Sequence, residues 1–269
     1  MTAWQRMIKG VRSCRGKVGA LLRHVCLVRS SSFRLTLYDL IRPTHWLRTD
    51  LAPFTLYRDW RDEQFNRLGL EKLYRGFDEA FLREYPGKLD RIAIALQVLE
   101  ASLPSAGEVA EFGVFRGHTA LALHAWLERS GSDKRLFLFD SFEGMPGSPH
   151  PLDRHWRARD LAGDAQGVEQ LFQESKRVQI VRGFFSDSLR QWPSLRFCFC
   201  HVDCDLYSST MECLEYLHPR LSPGGAVVFD DYGFRRCAGA REAIREFASR
   251  RSISYLTLPT GQAIYFKTL

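Results

Sequence analysis

The chain lacks the cysteine pattern of a disulfide scaffold or a zinc site. Its seven cysteines are an odd number, and no C-x-x-C pair occurs among them. Neither a disulfide framework nor a structural zinc site is therefore indicated. Reduced thiols are typical of the cytoplasm, which is the compartment that we expect.

The chain also lacks an uninterrupted apolar run of the roughly 20 residues that a membrane-spanning helix needs. The apolar stretch Val18–Val28 is broken by Arg23 and His24, and no small-residue cleavage site follows it. We therefore expect neither a transmembrane helix nor a secretory signal.

Acidic residues are missing from residues 1–34, which hold eight Lys and Arg. This arm carries +8 and the whole chain carries +7, so the remaining residues sum to −1. A nucleic-acid groove needs basic residues on the body of the fold, so we expect no nucleic-acid partner. Apolar residues recur at helical spacing in the arm, which indicates an amphipathic basic helix. Such a helix would attach peripherally to the inner membrane surface, dock on the body, or mediate contact with a second subunit, and these alternatives stay open.

Strands and helices alternate from Leu89 onwards, and Gly261 marks a hairpin turn near the end of the chain. The pattern predicts an α/β fold with a doubly wound, Rossmann-like sheet, mostly parallel, with an antiparallel C-terminal edge hairpin. The predicted strands cover residues 109–114, 136–139, 178–181, 197–202, 226–229, 253–258 and 263–267. Three domains are expected: a basic arm at 1–34, a helical or lid segment at 35–87, and the sheet domain at 88–269.

The dinucleotide fingerprint G-x-G-x-x-G is missing after the first predicted strand. That strand ends in Glu111-Phe-Gly113-Val-Phe-Arg-Gly117, and the second ends in Asp140. An acid at the end of the second strand meets ribose hydroxyls in nucleotide-binding folds. Glu111, in the motif that ends the first strand, would face a cationic amino group of the ligand. A nucleoside without a diphosphate fits this pattern better than NAD. Glu111 as a cap of the following helix is an equally open interpretation.

Acidic residues follow two strands that are predicted to be buried. Asp203 comes directly after the strand at 197–202, and Asp230 and Asp231 follow the strand at 226–229. Buried carboxylates must be paired or hydrogen-bonded, and three of them at one sheet edge suit Mg²⁺, which prefers oxygen ligands. The alternative is that Asp230 and Asp231 cap a turn and that Asp203 pairs with an arginine.

Six motifs together resemble those of the macrocin/mycinamicin O-methyltransferase family, in the family's order, over about residues 88–269. They are Glu111–Gly117, Asp140–Pro146, Gly183–Phe185, Asp203–Thr210, Leu221–Gly225 and Asp230–Gly233. Members of this family are S-adenosylmethionine-dependent and Mg²⁺-dependent enzymes that methylate sugar hydroxyls, typically on antibiotics. The resemblance implies a class I methyltransferase sheet and a small-molecule or glycan acceptor.

The resemblance also implies roles for individual residues. The metal ligands would be Asp203, Asp230 and Asp231. The cofactor pocket would be formed by Glu111, Gly113, Gly117, Asp140, Ser141 and Phe142, with Gly183 and Phe184 on the adenine side. His150 matches a loop histidine near the substrate and is a candidate general base, as is Asp203.

The acceptor stays open at this point, because the chain departs from the family at Phe115, His118 and Phe184 and in the loop before His150. A glycosylated natural product is the first expectation, and a surface polysaccharide or lipid-linked glycan is the alternative. Two alternatives belong to other functional classes. A nicotinamide-dependent oxidoreductase is disfavoured by the missing G-x-G-x-x-G fingerprint. A non-catalytic nucleoside-binding module is disfavoured by the retained acids Asp203, Asp230 and Asp231.

Overall fold

The computed structural model describes residues 58–70, 73, 88–148 and 150–268. Residues from Asp59 onwards form one compact unit. The predicted arm at 1–34 and most of the predicted segment at 35–87 lie outside the described residues. In the described part of the chain, every helix is too short or too polar to cross a membrane.

Seven α-helices occur in the described residues, together with short 3-10 turns at Leu189–Gln191 and Arg235–Cys237. The helices are α1 (Arg58–Leu68), α2 (Lys88–Ser102), α3 (His118–Arg129), α4 (Ala165–Leu171), α5 (Phe185–Ser188), α6 (Tyr207–Leu217) and α7 (Ala238–Arg251). The strands are β1 (Glu108–Phe112), β2 (Leu136–Asp140), β3 (Val178–Arg182), β4 (Phe197–Val202), β5 (Leu221–Phe229), β6 (Leu256–Thr257) and β7 (Ala263–Phe266).

The strands form one sheet in the order β3-β2-β1-β4-β5-β7-β6. Strands β1 to β5 run parallel, and β7 is antiparallel to both of its neighbours. This confirms the predicted doubly wound sheet with a terminal antiparallel hairpin. The strand order reverses between β1 and β4, and ligands of open α/β sheets bind at such a switch point.

Strand β5 begins at Leu221, five residues before the expected start at Ala226. The segment Ser222–Gly225, which lies outside the predicted strand at 226–229, belongs to β5, and the register with β4 shifts in this part of the strand. A Cβ on Gly225 would lie 2.8 Å from the carbonyl oxygen of Cys198, so glycine permits this close approach.

Two apolar clusters cover the two faces of the sheet, because side chains alternate along each strand. Val109 and Leu138 face the cluster that includes α2 and α3, and Phe112 and Phe139 face the cluster that includes α6 and α7. The rings of Phe112 and Phe139 stack with centroids 4.8 Å apart. Glu111 therefore points to the same face as Val109, beneath α2.

Candidate functional site

The predicted acids lie at the carboxyl edge of the sheet, at the ends of two neighbouring strands. Val202 and Phe229 are paired in the ladder between β4 and β5. The Asp203 amide donates to the carbonyl of Phe112, and the Asp230 amide donates to the carbonyl of Val202, both at 2.9 Å. Asp203 and Asp230 are therefore fixed beside each other and beside the end of β1.

Helix α2 brings two cations to this edge. Lys88 Nζ lies 2.9 Å from Asp203 Oδ2 and 3.2 Å from Asp230 Oδ2. Arg91 Nη1, one turn later, lies 2.5 Å from Asp230 Oδ2. Burial disfavours the charged ammonium, but the carboxylates of Asp203 and Asp230 outweigh it and raise the pKa of Lys88. Among the described residues, the ion-pair partner of Asp203 is a lysine rather than the arginine of the alternative interpretation, and the arginine of α2 pairs with Asp230.

Asp230 is fully buried and both of its oxygens are engaged. Its Oδ2 meets the two cations of α2, and its Oδ1 accepts from Gln262 Nε2 at 2.8 Å. His201 Nε2 lies 3.5 Å from the same Oδ1. Burial alone would raise the pKa of Asp230, but Arg91 and Lys88 outweigh it and hold the pKa well below its usual range. Asp230 is thus ionised and rigidly held.

His201 connects the acid edge to the end of β1. It is only 1% exposed, and its Nδ1 lies 3.5 Å from Glu111 Oε1, which is too long for a strong hydrogen bond. Burial would lower the pKa of His201, but the carboxylates of Asp230 and Glu111 raise it to about 9. The position of His201 between Glu111 and Asp230 depends on the pairing of β1, β4 and β5.

A second carboxylate pair lies next to the first. Asp231 Oδ2 accepts from the amide of Asp205 at 2.8 Å, and Cys237 Sγ donates to Asp205 Oδ1 at 3.0 Å. These carboxylate and thiol ligand atoms lie within 4.8 Å of one another. Burial and the nearby Asp203 raise the pKa of Asp205 to about 7, and burial and Asp205 raise the pKa of Asp231 well above its ordinary value. Sequence reasoning missed Asp205, although its spacing from Asp203 was the available signal.

Glu111 is 1% exposed and its Oε2 has no hydrogen-bond partner among the described residues. Burial raises the pKa of Glu111 above its ordinary value, although His201 opposes this. An unpartnered buried carboxylate oxygen is costly unless a ligand satisfies it. Because helix α3 begins only at His118, Glu111 is not its N-cap, and the open interpretation as a helix cap is wrong.

Gly113 permits a close approach of two backbone segments. Its φ is +87°, and a Cβ there would lie 1.9 Å from the carbonyl oxygen of Asp203. Gly117, with φ +78°, is the N-cap of α3. At Gly113, the neighbouring group that excludes a side chain is therefore the backbone carbonyl of Asp203.

Asp140 ties together the loops that follow β1 and β2. Its Oδ2 accepts from the amides of Val114 and Phe115 at 2.7 and 2.8 Å, and its Oδ1 accepts from the amide of Phe142 at 2.7 Å. A carboxylate offers about four acceptor positions, so roughly one remains for a ribose hydroxyl. Ser141 Oγ accepts from the Glu143 amide at 3.1 Å and stabilises the same turn.

Gly183 and Phe184 lie beside this turn. The Gly183 amide donates to the Asp140 carbonyl at 3.0 Å, and Phe184 is the N-cap of the short helix α5. Phe142 is 8% exposed and has φ +58°, so its ring is packed into the fold in a strained backbone conformation. The structure thus brings the residues predicted for the cofactor to one edge of the sheet.

His150 lies on a loop that is anchored next to the acid edge. Its ring stacks on Tyr207, with centroids 4.0 Å apart. In the same loop, Asp153 is 4% exposed and accepts from the Tyr207 amide at 3.2 Å and from Ser148 Oγ. Tyr207 opens helix α6, two residues after Asp205. The structure therefore places His150 beside the segment that carries the β4 acids.

Comparison with known proteins decides the family. A family model described as macrocin-O-methyltransferase (TylF) matches residues 88–267. The chain belongs to the macrocin-O-methyltransferase family. The 8-demethyl-8-(2,3-dimethoxy-alpha-L-rhamnosyl)-tetracenomycin-C 4'-O-methyltransferase of Streptomyces olivaceus is 33% identical over 218 residues, which make up 76% of each chain. Mycinamicin III 3''-O-methyltransferase of Micromonospora griseorubida is 32% identical over 162 residues, 55% of this chain and 63% of that protein.

Solved structures show the same fold. The O-methyltransferase NovP superposes with a TM-score of 0.59 at 25% identity, covering 66% of this chain and 80% of NovP. CalS11, a calicheamicin methyltransferase, gives a TM-score of 0.60 at 20% identity, covering 76% and 91%, and shows the fold alone. The expected family and class I methyltransferase fold are confirmed. The chain is an S-adenosylmethionine-dependent O-methyltransferase, which excludes the oxidoreductase and non-catalytic alternatives.

The residues at the β1 edge fit the cofactor of the macrocin-O-methyltransferase family. S-adenosylmethionine carries a cationic amino group, which would satisfy the unpartnered Glu111 Oε2. Its ribose hydroxyls would reach the free acceptor position of Asp140. The orphaned buried oxygen is the observation on which this fit rests.

The donor set at the β4–β5 edge fits a divalent cation in its chemistry. Asp203 Oδ2 and Asp230 Oδ2 converge on one cation position, which Lys88 Nζ marks. Among the described residues, no cation lies within ion-pairing distance of Asp205 or Asp231. Mg²⁺ prefers carboxylate oxygens and would neutralise these buried acids, which have no counter-charge at this edge in the described part of the chain.

Proposed function

We propose that this enzyme transfers a methyl group to a hydroxyl of a sugar on a glycosylated natural product or glycan. The observation that carries the proposal is the pair of features at the switch point: buried carboxylates after β4 and β5, beside the unpartnered Glu111. The names of relatives that act on tetracenomycin and mycinamicin sugars support a sugar acceptor.

The proposed metal ligands are Asp203, Asp230 and Asp231, with Mg²⁺ as the ion. A divalent cation there would lower the pKa of an acceptor hydroxyl and fix its orientation. Asp205 contributes to the same acid edge through the hydrogen bond that its backbone amide donates to Asp231 Oδ2.

The proposed general base, which accepts the proton of the acceptor hydroxyl, is His150 or Asp203. Asp203 has 24% of its side chain exposed whereas Asp230 has none, so Asp203 is the acid that an incoming hydroxyl can reach. A positioned base contributes roughly 10²–10⁴-fold to the rate. Glu111 and Asp140 would hold the donor so that its methyl group faces this base, and such positioning supplies much of the remaining acceleration.

Transfer of a labelled methyl group from S-adenosylmethionine tests the proposal. The acceptor panel contains nucleotide sugars, glycolipids and glycosylated natural products, together with sugar-free catechols and carboxylic acids. We expect label on a sugar oxygen of at least one acceptor. Label on a catechol or carboxylate acceptor but on no sugar would contradict the sugar assignment.

A second candidate acceptor is a lipid-linked glycan, because the +8 charge of residues 1–34 favours an anionic membrane surface. We propose this arm as a unit separate from the segment at 35–87 and from the catalytic domain at 88–269. Flotation with anionic liposomes, with and without residues 1–34, tests membrane contact. Light scattering of both forms tests self-association through the arm; equal behaviour of the two forms in both assays would contradict both roles.

A further inference from the structure

Lys88 places its ammonium where two proposed metal ligands converge. Its Nζ lies 2.9 Å from Asp203 Oδ2 and 3.2 Å from Asp230 Oδ2, and the residue is only 8% exposed. The two acids belong to different strands, so the lysine bridges the ends of β4 and β5. Its charge occupies the position that a divalent cation would need.

The position of Lys88 is set by the acids rather than by its own helix. Lys88 is the first residue of α2, where a positive charge is unfavourable because the helix dipole is positive at that end. The helix itself is anchored, since Leu89 and Ile92 are buried and α2 packs against β4 and β5. The attraction of two carboxylates must therefore compensate for the unfavourable terminus.

A divalent ion and the Lys88 ammonium need the same oxygens. Mg²⁺ binds carboxylate oxygen at about 2.0–2.1 Å and requires near-octahedral geometry, which leaves no place for an ammonium on the same oxygen pair. Two positive charges in a buried site also repel each other strongly. Asp230 Oδ2 also contacts Arg91, whereas Lys88 is the cation paired with Asp203 among the described residues, so loss of Lys88 changes the charge balance at Asp203 most.

We propose that Lys88 is the resident cation of the active site and that a divalent ion binds only by displacing it. The inference rests on the proposed metal role of Asp203 and Asp230. Lys88 then has two functions of its own. It holds the ends of β4 and β5 together in the absence of metal, and it sets the metal affinity by competing for the carboxylates.

The matched variants are Lys88→Met and Lys176→Met, of which the second removes an exposed lysine. If the state in which Lys88 has left the two carboxylates is populated at about 10% or less, the apparent affinity for Mg²⁺ is lowered about 10-fold or more. We therefore expect calorimetry to show that Lys88→Met binds Mg²⁺ about 10-fold more tightly than the wild type, with Lys176→Met unchanged. In chelator, Lys88→Met should melt at a lower temperature than the wild type, and Mg²⁺ should restore it.

A second measurement needs no variant. Amine acylation followed by mass spectrometry reports the reactivity of Lys88 in the wild-type chain. Because displacement frees the ammonium, we expect Lys88 to react faster in saturating Mg²⁺ than in chelator, while Lys176 reacts equally in both.

Equal Mg²⁺ affinity of the wild type and Lys88→Met, or unchanged acylation of Lys88 in Mg²⁺, would overturn the inference while leaving the proposed metal site intact. Absence of Mg²⁺ binding in every variant would overturn the inference and the metal site together. None of these readouts uses an acceptor, so failure of sugar methylation is detected separately by the labelled-methyl assay.

Discussion

The two halves of the site neutralise their carboxylates in different ways. At the β1–β2 end, Asp140 accepts three backbone N–H bonds and needs no cation. At the β4–β5 end, Asp230 is surrounded by charged side chains from α2 and β4, while Asp205 and Asp231 have no ion-pair partner among the described residues. The first half is organised by backbone geometry and the second by charge. Substitutions that change charge should therefore affect the second half most.

The largest effect is expected from Asp203→Asn, which removes a charge but little volume. Methyl transfer should fall by about 10³-fold or more, since both the proposed base and a metal ligand are lost. Labelled-methyl assays measure the rate, and circular dichroism checks that the fold is retained. Asp133→Asn, at an exposed acid, is the control. Full activity of Asp203→Asn would show that the charge of the second half is not used in the reaction.

Gly113→Ala tests the backbone organisation of the first half. Its Cβ would collide with the Asp203 carbonyl, and φ is +87°. Strain and overpacking together should lower the free energy of unfolding by about 3 kcal/mol or more. Gly131→Ala is the matched control, because φ is +65° there and nothing lies within 4 Å of the new Cβ; its cost should be about 1 kcal/mol. Similar losses in urea titrations would rule out the close contact as the cause.

His201 joins the two halves, and its charge should make their stability depend on pH. Its pKa rises from 6.5 to about 9 on folding, so protonation favours the folded state. This contribution is fully present below pH 6.5 and is lost as the pH rises through about 9. Compared with His201→Gln, the wild type should lose up to about 3 kcal/mol of relative stability across that window. A constant difference from pH 6 to 9.5 in denaturant titrations would contradict a charged His201.

Asp140→Asn should have the smallest effect, because neutral backbone donors surround this carboxylate. An amide keeps one acceptor oxygen and turns its N–H₂ towards a backbone donor, which leaves that donor unsatisfied. The dissociation constant of S-adenosylhomocysteine should rise about 10-fold. Calorimetry measures it, with Asp133→Asn again as the control. A loss larger than that of Asp203→Asn would reverse the proposed division between the two halves.

The sequence predicted the sheet, its terminal hairpin and the family, because hydrophobic alternation and short motifs are local signals. It also predicted that Asp203 and Asp230 would meet, since parallel strands end at one edge of the sheet. The partners Lys88 and Arg91 lie more than 110 residues away along the chain. Their pairing depends on how α2 packs across β4 and β5, which no local pattern encodes.

Two other features were beyond sequence reasoning for a similar reason. The contact between Gly113 and the Asp203 carbonyl is set by the spacing of β1 and β4. Asp205 contacts Asp231 from a turn in which Asp205 has a positive φ of 59°, and the pattern of strands and helices does not indicate this local conformation. The roles of His150, Asp203, Asp230 and Asp231 stay predictions, and Asp203→Asn tests that of Asp203 directly.

A crystal structure with bound S-adenosylhomocysteine tests the central claim most directly, since that claim places the methyl donor at the switch point between β1 and β4. We predict that the ligand's amino group will lie within hydrogen-bonding distance of Glu111 Oε2, with the ribose at Asp140. A ligand bound elsewhere, with Glu111 Oε2 still without a partner, would contradict the account.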